Sequence, residues 1–217
     1  QHFSPNVVST LGDDTLDQKL MNYIGDPHSE RPFFKRGLII GDVQSGKTST
    51  YIGFLCKAAD AGYKVFILLT GTIEALRRQT QERVEEGFIG IDMSAESTSG
   101  RRVGVGIGNP INAISLTSRV KDFTGDTDKT VISLASSNDA VVFVIKKNTK
   151  TLQNLTKWLV TLNADPVTKK IDMPMLMIDD EADNASINTS KDKEDPTKIN
   201  RLIRELASVF TKANYVG

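Results

Sequence analysis

Gly37-Leu38-Ile39-Ile40-Gly41-Asp42-Val43-Gln44-Ser45-Gly46-Lys47-Thr48 runs from a short apolar strand into a glycine-bounded turn and then into a helix. A triphosphate needs many donors at short range, and glycines let backbone N–H groups close around its oxygens. The helix that starts near Lys47 adds its positive dipole end. The Gly-x-x-x-x-Gly-Lys-Thr spacing therefore predicts a phosphate-binding loop formed by Gly41, Val43, Gln44, Ser45, Gly46, Lys47, Thr48 and Ser49. In that loop Lys47 reaches the β- and γ-phosphates of ATP, and the Thr48 hydroxyl is a magnesium ligand. A strand-to-helix turn that holds no ligand is the alternative, and the flanking strand and helix weigh against it.

Outward from the loop, Tyr51, Leu55, Ala58 and Ala59 share one helical face that stops at Gly62. Val65-Phe66-Ile67-Leu68-Leu69 is a continuous apolar run, as expected of a strand buried on both faces. Ile73, Leu76, Thr80 and Val84 mark a helix ending near Gly87. Ala140 to Ile145 and Met175 to Ile178 are two more apolar strands, with Leu152, Leu155, Leu159 and Leu162 on a helix between them. Asp195-Pro196 reads as a helix cap followed by proline in the first turn. The helix it opens carries Ile199, Leu202, Leu206 and Phe210, and Tyr215-Val216-Gly217 reads as a strand cut short.

Strands alternating with helices predict βαβ units and an α/β fold, three layers α-β-α around a mostly parallel sheet. Residues 1–36 read as an N-terminal helical segment, with Leu16, Leu20 and Ile24 following Asp13 and Gly25-Asp26-Pro27 ending the helix. Residues 37–217 form the phosphate-binding lobe. Within it, 88–139 is rich in Gly, Ser, Thr and Asp, with β-like pieces at Val103-Gly104-Val105 and Val131-Ile132-Ser133. This stretch reads as an elaborated connection inside the domain. The polar stretch Lys191-Asp192-Lys193-Glu194 reads as a mobile loop.

The 217 residues carry 27 Lys+Arg and 27 Asp+Glu, a formal net charge of zero, which is not the balance of a strongly basic nucleic-acid binder. A motor would need only a local basic strip. Cys56 is the single cysteine, so an intrachain disulfide and a Cys-rich zinc site are both excluded. Its place beside Ile52, Leu55 and Ala59 reads as a core residue rather than a nucleophile. No apolar run approaches the ~20 residues of a membrane helix, and the start has no basic-then-apolar signal, so a cytoplasmic protein is expected. The missing initiator Met suggests a trimmed chain.

The second chemical motif is Met175-Leu176-Met177-Ile178-Asp179-Asp180-Glu181-Ala182-Asp183. A carboxylate at a strand end can hold magnesium, and a neighbouring one can orient or deprotonate an attacking water. Asp180 takes the metal and Glu181 the water in this reading, with the register open by one residue because Asp179 comes first after the apolar run.

Asp180-Glu181-Ala182-Asp183 matches the second motif of DEAD-box helicases. With Gln44-Ser45-Gly46-Lys47-Thr48 it resembles the first RecA-like lobe of a superfamily-two helicase. More closely, the chain resembles the Z-one domain family, described as endonucleases and found with bacterial helicase-like ATPases. Gly41 to Thr48, Gly62-Tyr63, Leu76 to Arg83, Lys146-Lys147-Asn148 with Leu152 and Leu155, and Ile178 to Ser186 carry that resemblance. It implies an ATP hydrolase acting on nucleic acid, DNA more than RNA, with a defence role against phage. In those relatives a Tyr-Val-Gly strand precedes a Thr-Ala-Thr-Pro-like motif, and this sequence stops at Gly217. The second RecA-like lobe and its arginines are thus expected to be absent, leaving a chain that binds ATP and hydrolyses it slowly or not at all.

The same resemblance puts Gly71-Thr72 and Arg77-Arg78 near a nucleic-acid backbone. Equally, Arg77 and Arg78 can be a solvated helix face that pairs with Glu74, Glu82 or Glu85, and Lys146-Lys147 carries the same ambiguity. Asp126-x-Asp128-Lys129 is the nearest approach to a nuclease pattern and reads as a solvated loop, so any cutting residues are expected elsewhere. Gly104-x-Gly106-x-Gly108 reads as a turn because Asn109-Pro110 follows it. Phe33, Phe34 and Arg36 are stacking candidates for adenine. The rival functions are a regulatory P-loop ATPase acting on protein partners and the motor part of an endonuclease.

Overall fold

A computed structural model describes residues 10–40, 47–92, 100–108, 113–124, 133–182 and 195–217. The main sheet is built from β1 (Phe33–Gly37), β2 (Val65–Thr70), β5 (Ala113–Ser115), β6 (Ala140–Lys146), β7 (Ile171–Asp179) and β8 (Phe210–Val216). Its six strands lie in the order β1-β8-β7-β2-β6-β5, and every pairing is parallel. A separate antiparallel pair joins β3 (Ile91–Asp92) to β4 (Arg101–Arg102). The helices are α1 (Lys47–Ala61), α2 (Glu74–Val84), α3 (Thr149–Asn163) and α4 (Asp195–Ser208).

The period of two along each strand divides the apolar residues between two cores. Phe66, Leu68, Val142, Val144, Leu176 and Ile178 meet Tyr51, Phe54, Leu55 and Ala58 of α1 and Val84 of α2. On the other face Ile67, Leu69, Phe143, Ile145, Met175 and Met177 meet Leu152, Leu155 and Trp158 of α3 and Leu202, Ile203 and Leu206 of α4. Connections that step one way across the sheet use one face, and those that step back use the other, as right-handed crossovers require. The result is the three-layer α-β-α, RecA-like arrangement expected from the sequence.

Several details depart from that reading. The strand before the phosphate loop is Phe33–Gly37 rather than 37–40, and Leu38 and Ile40 are exposed. This is an edge strand with one face open, so its sequence is not a continuous apolar run. The N-terminal segment is tied into the lobe. Its wide helical turns Thr10–Leu20 seat Leu16 on Gly53 of α1, and Lys57 pairs with Asp17 at 2.7 Å. The Tyr63 hydroxyl donates to the Gly25 carbonyl, while Asn214 donates to Tyr63 and accepts from the Gly25 N–H. Phe210 opens β8 instead of closing α4.

Within 88–139, β5 joins the main sheet as its far edge, and Gly104–Ile107 is a tight helical turn rather than a strand. There a Cβ on Gly106 would fall 2.0 Å from the Gly90 carbonyl oxygen, so the glycines serve close backbone packing and not a dinucleotide. Val131 and Ile132, and the stretch 191–194, lie outside the described residues. Among the described residues no helix is long and apolar enough to cross a membrane.

Candidate functional site

Neighbouring strands β2 and β7 send the chain to opposite faces of the sheet, β2 into α2 on the α1 side and β7 towards α4 on the other. That divergence opens a crevice at the carboxyl ends of the strands, where parallel α/β sheets bind ligands. Four pieces of chain meet at this end: Gly71-Thr72 after β2, Asp180-Glu181-Ala182 after β7, Gly217 after β8, and the first turn of α1. Strand β8 lies between β1 and β7, so the end of the strand that leads to the phosphate loop stands two strand spacings, about 10 Å, from the carboxylates. At the end of β8, a Cβ on Gly217 would come 2.8 Å from that of Ala182, so the middle of the crevice is backed by main chain.

Strand alternation sends Asp179 and Asp180 to opposite faces. Asp179 is buried on the α3–α4 side, where Lys147 Nζ donates to its Oδ1 at 2.8 Å and the Tyr215 hydroxyl to its Oδ2 at 2.6 Å. Asp180, whose N–H donates to the Leu69 carbonyl at 2.9 Å, is directed to the α1 side. There the Tyr51 hydroxyl is raised above its usual pKa, first by burial and then by the negative charge of Asp180. Asp179 is thus committed to an internal ion pair, while the charge of Asp180 is felt at Tyr51 of α1.

The first turn of α1 carries the expected metal ligand Thr48, and Arg83 from the last turn of α2 donates to its hydroxyl at 3.0 Å. Tyr51, one turn further along, buries its hydroxyl near Thr48 and Arg83, within reach of the charge of Asp180. A hydroxyl in a first helical turn and a strand-end carboxylate are the kinds of oxygen ligand a hard cation takes alongside phosphate and water. Gly41, Val43, Gln44, Ser45 and Gly46 lie outside the described residues, and Lys47 is described only as the first residue of α1.

Glu181 follows with φ +69°, a left-handed conformation that costs a non-glycine residue roughly 1–2 kcal/mol. Its carbonyl accepts from Lys147 Nζ at 2.5 Å. Its carboxylate lies over Gly71, where a Cβ would come 2.5 Å from Oε2. Glu181 therefore reaches the crevice through a turn held from below and roofed by a residue without a side chain.

The nucleic-acid candidates separate. Arg77 is buried and its guanidinium bonds Glu74 and the carbonyls of Ser118, Arg119 and Val144, which takes it out of reach of a phosphate backbone. Arg78 and Thr72 are exposed, Arg78 lying 3.7 Å from Glu74. Lys146 pairs with Glu74 at 2.8 Å. Arg77 fits neither reading, because its pairing is buried rather than solvated, while both lysines pair with carboxylates. Phe33 packs its ring on Gly25, while Phe34 is half-exposed with the Arg36 guanidinium 4.8 Å from its ring centroid. Asp126, Asp128 and Lys129 lie outside the described residues.

Tyr215, Tyr51 and Arg83 were not singled out as site residues by sequence reasoning, and Lys147 was weighed only as a nucleic-acid contact. Each acts through tertiary proximity, and the one local signal was Lys147 following a core strand as Asp179 does. The fold is that of a parallel α/β protein of the Rossmann or P-loop kind. No protein-family model matches the chain, and no curated protein matches it at a significant level.

Proposed function

We propose that this chain is the ATP-binding lobe of a superfamily-two helicase-like ATPase that acts on nucleic acid, as its resemblance to the Z-one domain family implies. The observation that carries the reading is the delivery of Asp180 to the side of the sheet where Thr48 begins α1, while Asp179 is locked into the opposite face. Thr48 and Asp180 would hold magnesium, and Lys47 with the loop N–H groups would hold the phosphates. Bound Mg·ATP supplies the electrophilic γ-phosphorus and the charge neutralisation around it. Glu181 orients a water and accepts its proton as the water oxygen bonds to phosphorus. The bond to the β-phosphate oxygen breaks, giving ADP and inorganic phosphate.

Calorimetric titration with Mg·ATP tests the site. Wild type should bind saturably, Lys47→Ala should lose binding, and Asp180→Ala should bind without dependence on magnesium. Binding that is the same in all three proteins, or absent from the wild type both alone and joined to its second lobe, would overturn the proposal. One observation favours the regulatory-ATPase reading instead: the burial of Arg77 and Lys147 withdraws basic groups from the carboxyl-end surface. Stimulation of ATP turnover by single-stranded DNA in the full protein separates the two, since only a motor requires it.

A further inference from the structure

Lys147 is an enclosed cation at this end of the sheet, and its donors land on the turn that carries the chemistry. Its side chain and that of Asp179 are both 0% exposed. Nζ donates to Asp179 Oδ1 at 2.8 Å, to the Glu181 carbonyl at 2.5 Å and to the Asp180 carbonyl at 3.4 Å. Tyr215 fixes the second oxygen of Asp179 from β8. We infer that Lys147, oriented by Asp179 and Tyr215, is a positioning residue that sets the Glu181 turn for hydrolysis. The inference rests on the proposed nucleotide site.

Stability alone is a poor reason for such a pair. Exchanging a buried ion pair for apolar side chains of similar volume is often neutral or stabilising. What an apolar pair cannot do is donate hydrogen bonds to two successive carbonyls. Those carbonyls belong to Asp180 and Glu181, the residues assigned to the metal and the water. Glu181 also sits at φ +69°, and a strained backbone of this kind persists only where its surroundings over-determine it. The ammonium beneath its carbonyl does that, and the open space above Gly71 leaves room for the carboxylate. Three strands thus converge on one orientation: β6 through Lys147, β7 through Asp179 and β8 through Tyr215. Supporting groups of this type hold a reacting residue within the small tolerance that catalysis allows.

The test uses the full protein with two variants, Lys147→Met/Asp179→Leu, which removes both charges together, and Tyr215→Phe. Melting and Mg·ATP calorimetry are run first, then single-turnover hydrolysis with enzyme in excess. The double variant should melt cooperatively and bind Mg·ATP within about threefold of wild type, while hydrolysing bound ATP about ten- to a hundredfold more slowly. Tyr215→Phe should show the same split at about threefold in rate. A folded double variant with wild-type hydrolysis overturns the inference, and so does loss of affinity with unchanged hydrolysis of what is bound.

If the double variant does not fold, Tyr215→Phe decides, and an unaltered rate counts against the relay. If the wild type binds ATP but never hydrolyses it, the hydrolytic part of the proposed function fails separately. Amide exchange then judges the clamp. The amides of 179–182 should exchange at least tenfold faster in whichever variant folds, with β2 and β6 still protected, and unchanged exchange there overturns it.

Discussion

Cys56 lies half-buried on α1 with Sγ 3.6 Å from the Gly87 carbonyl, and burial, reinforced by the charge of Asp60, pushes its thiol up to about 11. The thiolate is the nucleophile, so the folded protein should resist alkylation at neutral pH. The sign is fixed by the direction of the shift. A folded pKa above the unfolded value of roughly 8.5 means that the protonated thiol stabilises the fold below that pH. This contribution is lost as pH rises from there towards 11. Iodoacetamide labelling across pH 7 to 11.5 should therefore accelerate at the upper end, and an inflection near pH 8.5 in the folded protein would contradict the burial. The apolar neighbours Ile52, Leu55 and Ala59 suggested a core residue, but Cys56 lies only half-buried at the edge of that face. The split between Asp179 and Asp180 was only half legible. Alternation says that neighbours face opposite ways, but which face belongs to α1 depends on the order of strands across the sheet.

On α2, adjacent arginines have opposite fates because a helix turns about 100° per residue. Arg77 points inward to Glu74, Ser118, Arg119 and Val144, and Arg78 points to solvent. Arg77→Ala should cost about 3 kcal/mol or more, since it leaves buried acceptors without donors. Arg78→Ala should stay within about 0.5 kcal/mol of wild type. Urea unfolding midpoints measure both, and similar values for the two would remove the structural role given to Arg77. The elements most legible in the sequence were the unbroken apolar runs Val65–Leu69, Ala140–Ile145 and Met175–Ile178, although β7 begins four residues before its run, at Ile171. Strand β1 was misplaced by about one turn of reading because Phe33-Phe34-Lys35-Arg36 lies at an edge and keeps its polar residues. Strand β5 has three residues, too few for any period to show. Phe210 continues the four-residue spacing from Leu206, and only its pairing opposite Ile171 makes it a strand residue.

Across the whole molecule, zero net charge is partly the sum of internal neutralisations at the carboxyl end of the sheet. Glu74 takes Arg77 and Lys146, and Asp179 takes Lys147. These pairs hold α2 and β6 in the places that shape the crevice, so basic residues that a motif search would assign to nucleic acid serve the fold. Among the expected contacts, Arg78 and Thr72 stay exposed there. A surface of this kind neutralises one or two phosphates, and each contributes a slope of about −0.7 in log K against log salt for a single strand. Affinity of this chain for single-stranded DNA, followed by fluorescence anisotropy, should thus fall only about three- to sevenfold between 50 and 200 mM salt. Arg78→Ala should flatten the slope by about 0.7. A slope steeper than about −3 would place the binding on a basic surface other than the carboxyl-end crevice. The coupling of nucleic acid to Glu181 would then have to travel through the sheet rather than across the shared α2 loop.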